Sequence, residues 1–477
     1  PAPYRFAADV ERACRAARRN GRPAVLMVNH ARGGGTERHL GELAAMAAGH
    51  ATVLFLRPHG AENQAALLSI HGSDNAVPFD PLADYGVLVD LLRVLGVSRV
   101  HFHHTIGVHT QFWRLPQDLG VPYDFTVHDY YLACPQITMT TPQGAYCGEP
   151  DDEGCGRCLQ QRPAPGVSSI REWRQASDSL IHGAERVFVP GRDAHRRIQR
   201  YFPGATTVLA PHENARLRVA PVRAAPLAGA EPLRIAVIGA LAVFKGANLL
   251  EACGLDARRR RLALEYHLLG YAYRRLTGWP ASALREHGPY REEDLPRLLG
   301  DLAPHVVWFP GSCPETYSYT LSACMELGIP VVAPAIGAFS ERLVGREWSW
   351  LIAPDQEPAA MGDFFDDLRR NFVRGEAPEP VAGELLSAAF DYRRDYVHEA
   401  PGAVPAGPAD WTGYHRYYAQ RLVRARLPGA AAGINRGMRL LEQLQRMKRH
   451  GLVLRLESRV PLDWKIRLKH WLQQLDG

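Results

Sequence analysis

The residues best placed for chemistry lie in Pro310-Gly-Ser-Cys-Pro-Glu315-Thr-Tyr-Ser-Tyr-Thr-Leu-Ser-Ala-Cys-Met-Glu326-Leu-Gly-Ile-Pro330-Val-Val-Ala-Pro334. The apolar run His305 to Phe309 reads as a short buried strand, stopped by Pro310-Gly311. Thr316 to Leu327 suits a helix with Leu321, Cys324 and Met325 inward, Gly328 as its stop, and Ile329 to Ala333 as the next strand of a parallel sheet. In such units, ligands bind beyond the carboxyl ends of the strands, where a loop and a helix N-terminus offer backbone N–H groups. Glu315 is therefore placed where a bound sugar or phosphate would sit. A glycine-rich turn, Gly33-Gly34-Gly35-Thr36-Glu37, likewise joins the strand Ala24–Val28 to a helix carrying Leu40, Leu43 and Met46. Its glycines allow close approach of backbone to ligand, and they equally serve a plain tight turn.

Two further clusters carry ligand-type side chains. In Val97 to His103, alternation sends His101 and His103 to one face, with His104 and His109 following. Two readings stand, a metal-binding pair or histidines at a sheet edge, and the second is the simpler. Cys134, Cys147, Cys155 and Cys158 form a C-x12-C-x7-C-x2-C array in a loop rich in Gly, Pro and acid. A terminal C-x2-C suits two tetrahedral zinc ligands, so the array fits either a structural zinc held by all four or reduced cysteines packed in the loop.

The elements that must position these residues alternate along the chain. Strand-like runs at Ala51–Leu56, Val97–His103, Phe125–Val127, Val187–Pro190 and Thr207–Pro211 make a first α/β domain. A Pro- and Ala-rich stretch from Val219 to Pro232 reads as the linker. Leu233–Ile238, Glu265–Leu269, His305–Phe309 and Ile329–Ala333 then make a second. The expected division is 1–222, with the cysteine loop 134–158 in it, then 233–400, then 401–477. Residues 1 to 22 suggest a short amphipathic helix. Within the tail, Arg436 to Gly477, the stripe Trp464, Leu468, Trp471, Leu472 and Leu475 beside Lys465, Arg467 and Lys469 suits either an anionic membrane surface or packing on the protein.

Composition narrows the class. With 477 residues, 46% hydrophobic and 22% charged, the chain is an ordinary globular protein of two or three domains. A formal charge of +6 spread over this length does not indicate nucleic acid, and the densest run, Arg258 to Arg261, reads as a solvated patch at a helix end. No apolar run approaches the ~20 residues of a membrane span, and the start has no signal-peptide core. The cytoplasm is the expected location, with the inner face of the membrane as the tail's surface. The missing initiator Met fits a processed protein or a piece of a longer one.

The stretch around Glu315 resembles the donor-site signature of retaining glycosyltransferases of family 4, which have the GT-B fold of two facing Rossmann-like domains; here a helical C-terminal extension follows. Setting Gly328-Ile-Pro-Val331 on the family's Gly-x-Pro-Val turn puts Glu315 on the first signature glutamate, which contacts the donor sugar. The second, which holds the ribose, falls on Ala323, and Glu326 lies one helical turn beyond it. Gly239-Ala240 through Lys245 resembles the Gly-Arg turn and lysine that neutralise the diphosphate; the lysine is kept and the arginine is Ala240. Arg274 or Arg275 could replace that cation, surface arginines being the default reading. Gly34 and Gly35 resemble the glycine loop near the donor phosphates, His128 the histidine that reaches the donor sugar from the first domain, and His287-Gly288-Pro-Tyr290 the border of the base. Thr316, Tyr317 and Ser318 fall in the donor loop, and Gly337-Ala-Phe-Ser-Glu341 lies near the diphosphate, with helix capping by Ser340 an equal reading. Cysteine-bearing loops occur in a subset of the family. Its chains commonly end in a helical crossing back to the first domain, for which Trp411 to Leu422 is the candidate.

The resemblance covers roughly residues 24 to 355. It implies retaining transfer of a sugar from a nucleotide-diphosphate donor to a hydroxyl of a glycan or lipid-linked acceptor, without catalytic metal, in bacterial surface polysaccharide or glycan synthesis. Ala240 and Ala323 motivate the alternative of a degenerate module that binds a glycan or a protein partner. A carbohydrate phosphorylase would need a pyridoxal phosphate site, which the sequence does not offer.

Overall fold

The computed structural model describes residue 12 and residues 22–30, 32–59, 65–212, 218–225, 227–387 and 389–396. The expected amphipathic helix in residues 1 to 22, the candidate crossing Trp411 to Leu422 and the tail from Arg436 lie outside these, save Arg12 and Arg22. Two compact units form. The described residues of Pro1–Ala133, Arg174–Ala215 and Ala388–Ile434 make the first, and those of Cys134–Trp173 and Arg216–Ser387 the second.

The first unit is built on eight strands: β1 (Ala24–Val28), β2 (Thr52–His59), β3 (Ala65–Ile70), β4 (Ala76–Phe79), β5 (Val97–Phe102), β6 (Tyr123–Thr126), β7 (Arg186–Val189) and β8 (Thr207–Leu209). Their order is β4-β3-β2-β1-β5-β6-β7-β8. β3 pairs antiparallel with both β2 and β4, and the other pairs are parallel. Period-2 alternation turns Val25 and Met27 to one face, where Leu40, Leu43 and Ala44 of the helix Gly35–Ala47 cover them with Phe188, Tyr392 and Tyr396. The start of the sheet holds a buried charge network, Asp124 between Arg99 Nη1 (2.9 Å) and Arg186 Nη2 (3.0 Å).

The second unit carries six parallel strands: β9 (Leu233–Leu241), β10 (Leu264–Ala272), β11 (Leu284–Gly288), β12 (Val306–Trp308), β13 (Val331–Pro334) and β14 (Ser349–Ile352), ordered β11-β10-β9-β12-β13-β14. Both faces are covered, as parallel sheets require. Leu233, Ile235, Val237, Val306 and Trp308 pack on one side with Leu250, Cys253 and Phe365 from the helices Ala247–Arg260 and Pro358–Arg374. Ala236, Ile238 and Val307 pack on the other with Leu299 and with Leu321, Cys324 and Met325, the three predicted to face inward. Trp308 is wholly buried, a contribution of about 1.5–3 kcal/mol.

The α/β class with two Rossmann-like sheets is the one expected. Three features depart from expectation. The hairpin strands β3 and β4 are additions. The cysteine stretch, assigned from sequence to the first domain, groups with the second unit, where Ser312 Oγ donates to Gly144 O at 2.6 Å. The proposed linker is also engaged: Ala220 N donates to Met325 O (2.9 Å) and Arg223 N to Gly328 O (2.8 Å), pinning it beside the helix Tyr319–Glu326.

Candidate functional site

In each unit the chain order of the strands reverses once, between β9 and β12 in the second unit and between β1 and β5 in the first. A crevice for ligands opens outside the carboxyl ends at such a point. The candidate residues gather at both.

In the second unit, β9 leads to a short turn, Val243–Lys245, and Gly246 then opens the helix Ala247–Arg260. Gly246 has φ 82°, and a Cβ there would lie 2.3 Å from Pro310 O, so glycine is what lets the Lys245 turn press against the loop after β12. That loop presents Glu315, whose Oε1 is 3.4 Å from Lys245 Nζ, with both side chains partly exposed. The Glu315 carboxylate holds the lysine above its ordinary range, so it is charged at neutral pH. Cys313 Sγ is 4.0 Å from the same oxygen, and burial pushes its thiol up.

The donor loop is held from behind. Ser318 caps the helix Tyr319–Glu326 by accepting from Leu321 N at 3.2 Å. Arg342 donates to Ser318 O (2.7 Å) and Ser322 Oγ (2.8 Å), and its guanidinium lies 4.0 Å above the Tyr317 ring. Thr316 and Tyr317 are buried. Ala338 N donates to Glu315 O at 2.7 Å across Gly337, whose own Cβ position is only 2.6 Å from that oxygen. Arg342 and Gly337 are thus positioning residues; sequence reading placed Gly337 nearby without this role and missed Arg342. Ser340 does not cap the helix Ala338–Arg342, which begins at Gly337 without a side-chain cap. Tyr290 packs half-buried on the core beside β12, its phenol pushed up to about 12 by burial.

The two departures from the family pattern are not repaired by Arg274 or by Glu326. Ala240 is exposed at the end of β9, after Gly239 at φ 110°. Arg274, one substitute for the missing cation, is taken by Glu251 at 2.5 Å and Asn248 Oδ1 at 2.9 Å. Ala323 packs against the core, and Glu326 is exposed at the far end of its helix.

In the first unit, Gly33 and Gly34 take φ 75° and 81° between β1 and the helix Gly35–Ala47, with open space around both. Asn29 Nδ2 donates to Glu37 at 3.1 Å, and Arg57 pairs with the same carboxylate. Beyond the sheet lie the histidines. β5 is central, so His101 and His103 are not at a sheet edge, and both are wholly buried. Their ring centroids lie 4.0 Å apart with the planes tilted by 33°. His101 reaches Thr126 Oγ1 (2.8 Å) and Tyr396 OH (2.9 Å), which makes it a core residue. His103 Nδ1 lies 3.2 Å from His128 Nε2, and His39 from the helix after β1 closes the group. Burial pushes His39 down to about 3 and His30 down to about 4, and it holds His101, His103 and His128 well below the usual imidazole range. All five are neutral at pH 7. His104 Nε2 bonds Asp129 at 2.9 Å, so the carboxylate next to His128 in sequence serves a different histidine.

Cys147, Cys155 and Cys158 all stand near enough to Cys134 to act on it, but no three of the four sulfurs lie within 4.8 Å of one another. Cys155 and Cys158 share the helix Asp152–Gln161, and Cys134 is a thiol pushed up to about 11 by burial. Among the described residues, the one set of three His, Cys or acid side chains with ligand atoms within 4.8 Å of one another is His39, His103 and His128. No described helix is long and apolar enough to cross a membrane.

No family model matches the sequence, and no curated protein matches it. Similar solved structures include the Anabaena protein HepE in complex with UDP and glucose, 12% identical over 84% of this chain and 99% of its own, with a TM-score of 0.46. The sucrose-phosphate synthase of Thermosynechococcus elongatus is 14% identical over 84% of this chain and 100% of its own, with a TM-score of 0.47. The catalytic domain of starch synthase IV from Arabidopsis thaliana, bound to ADP and acarbose, is 13% identical over 85% and 99%, with a TM-score of 0.44.

Proposed function

We propose that this chain is a glycosyltransferase that moves a sugar, with retention, from a nucleotide-diphosphate donor to a hydroxyl acceptor. His128, Glu315 and Lys245 are the residues that carry the reaction. The observation that supports it most is the partly exposed Lys245–Glu315 pair, 3.4 Å apart, at the strand-order reversal of the second sheet. A core ion pair would be walled in; this one is open and has both charges a sugar diphosphate needs. The diphosphate takes the ammonium, which frees the carboxylate to accept sugar hydroxyls. As the glycosidic bond breaks, the leaving phosphate gains negative charge, so Lys245 stabilises the transition state more than the ground state. Retention then follows from same-face attack, with the departing phosphate helping to deprotonate the acceptor. Gly34, Gly35, Gly239, Tyr290, Thr316, Tyr317 and Ser318 complete the donor contacts in this reading. The acceptor is a glycan or lipid-linked sugar of a surface polysaccharide, handled at the inner face of the membrane.

Ala240 and Ala323 favour a second reading, a module that binds a glycan or a partner without catalysis. Each missing charged hydrogen bond is worth about 1.5–3 kcal/mol, so together they cost roughly a hundredfold or more in donor affinity. Calorimetric titration with UDP, GDP, dTDP and ADP separates the two. Micromolar binding of one nucleotide, lost in Lys245→Ala, supports the transferase; no binding across the panel removes it and leaves the module.

A further inference from the structure

We propose that the first unit holds a divalent transition-metal ion of the zinc class between His39, His103 and His128. The three come from separate crossovers: the helix after β1, the end of β5 and the end of β6. Their ligand atoms lie within 4.8 Å of one another. The 3.2 Å between His103 Nδ1 and His128 Nε2 is close to the edge of a tetrahedron, about 3.3–3.4 Å, for metal–nitrogen bonds of about 2.0–2.1 Å.

A second observation points to a ligand. His39 is wholly buried, and among the described residues neither of its ring nitrogens has a hydrogen-bond partner. A neutral imidazole has one donor and one acceptor, and leaving such groups unmet in the interior is costly. An ion gives His39 the partner it lacks. The rest of the surroundings fit. The His212 ring lies 4.1 Å from that of His39 and 5.0 Å from that of His128. A cavity of about 10 Å³ beside the group, lined by His103 and His128 but not by His39, has room for about one water. Asp129 lines the same cavity and supplies negative charge beside the ion. Imidazole ligands without thiolate suit Zn²⁺, Ni²⁺ or Cu²⁺ over Mg²⁺ or Ca²⁺. The ion joins the three elements that meet at the strand-order reversal and fixes the orientation of His128.

The full chain, stripped with chelator, is titrated with Co²⁺ and then Zn²⁺, with absorption spectra and elemental analysis. About one equivalent is expected, with the visible bands of four-coordinate imidazole cobalt and no thiolate charge-transfer band. His39→Phe keeps the ring volume without a ligand nitrogen and lowers affinity by at least about a hundredfold, since loss of even an outer-shell partner costs 10–100-fold. His103→Gln is the second variant, should circular dichroism find His39→Phe unfolded. Cys155→Ser with Cys158→Ser leaves binding unchanged. No cobalt spectrum in the unaltered chain overturns the proposal. So does a thiolate band that the cysteine variant abolishes, or wild-type affinity in a folded histidine variant. Nucleotide plays no part, so the outcome is independent of the transferase reading.

Discussion

Gly337→Ala tests whether the donor loop is held by the contact described above. Gly337 has φ 64° and ψ −149°, a region open essentially to glycine alone. Alanine there costs about 1–3 kcal/mol in backbone strain. Its methyl would also stand 2.6 Å from Glu315 O and 2.7 Å from Glu315 N, and these are backbone atoms that no rotamer change can move aside. Relieving such overpacking adds about 1–3 kcal/mol, for a total of about 2–6 kcal/mol. Gly375→Ala is the control: φ is 68°, the position caps the helix Pro358–Arg374, and nothing lies within 4 Å of the new methyl. It should cost only about 1–2 kcal/mol. Denaturant unfolding gives both losses, and calorimetry gives nucleotide affinity in each variant. Gly337→Ala should be the less stable of the two and should weaken nucleotide binding, because the loop that carries Glu315 has to shift. Equal losses in the two variants, or unchanged nucleotide binding in Gly337→Ala, would refute the claim that this close approach positions Glu315.

Other outcomes follow from the same geometry. Arg342→Lys keeps the charge but cannot reach Ser318 O and Ser322 Oγ while lying flat on Tyr317, so nucleotide affinity should fall about 5–30-fold, by calorimetry, for one or both hydrogen bonds lost at about 1 kcal/mol each; wild-type affinity would refute it. Asp124→Ala leaves Arg99 with only the half-exposed Glu185 and takes the buried carboxylate from Arg186, and should cost about 3–5 kcal/mol in denaturant unfolding, whereas a loss below about 1 kcal/mol would mean the network is replaceable. His305 is wholly buried, accepts from Arg234 N through Nδ1 at 2.9 Å, and is pushed down to about 4 by burial. Its folded value lies below the unfolded one, so its contribution is full above about pH 6.5 and is lost as pH falls towards 4, by about 2–3 kcal/mol. His305→Gln can still accept that bond and does not titrate, so its stability should fall less steeply over the same window; parallel pH profiles would count against this.

The strands were legible because their residues are buried on both faces: Ala24–Val28 and Leu233–Ile238 read as apolar runs and form strands. The helix behind Glu315 was legible from its periodicity; Lys245 and Glu315 were singled out through the family resemblance, and the fold brings them to 3.4 Å. What the sequence hid was long-range. His101 and His103 were correctly put on one face, but only the order of the strands makes β5 central and buries them. His39 had no visible partner in sequence because its neighbours come from other crossovers. The hairpin of β3 and β4 lacks a strong alternating pattern. Phe390-Asp-Tyr-Arg-Arg-Asp-Tyr396 reads as a polar surface stretch, yet its aromatics enter the first unit's core. Cysteine spacing suggested metal; the fold does gather Cys147, Cys155 and Cys158 around Cys134, without bringing three sulfurs within 4.8 Å of one another.

That aromatic return has a consequence for how the protein comes into being. Tyr396 donates or accepts at His101, and Tyr392 sits against the His39 ring at 4.9 Å, so the first unit's core needs residues made after nearly all of the second unit. The second unit in turn claims Cys134–Trp173 from inside the first. Neither half is a contiguous piece of chain, and the usual N-terminal-first order of folding during synthesis is closed to it. A nascent chain that has emerged only through residue 222 holds its histidine cluster open and wet. A fragment cut at that point for expression would meet the same fate, with Phe188, His39 and His101 exposed where Tyr392 and Tyr396 belong.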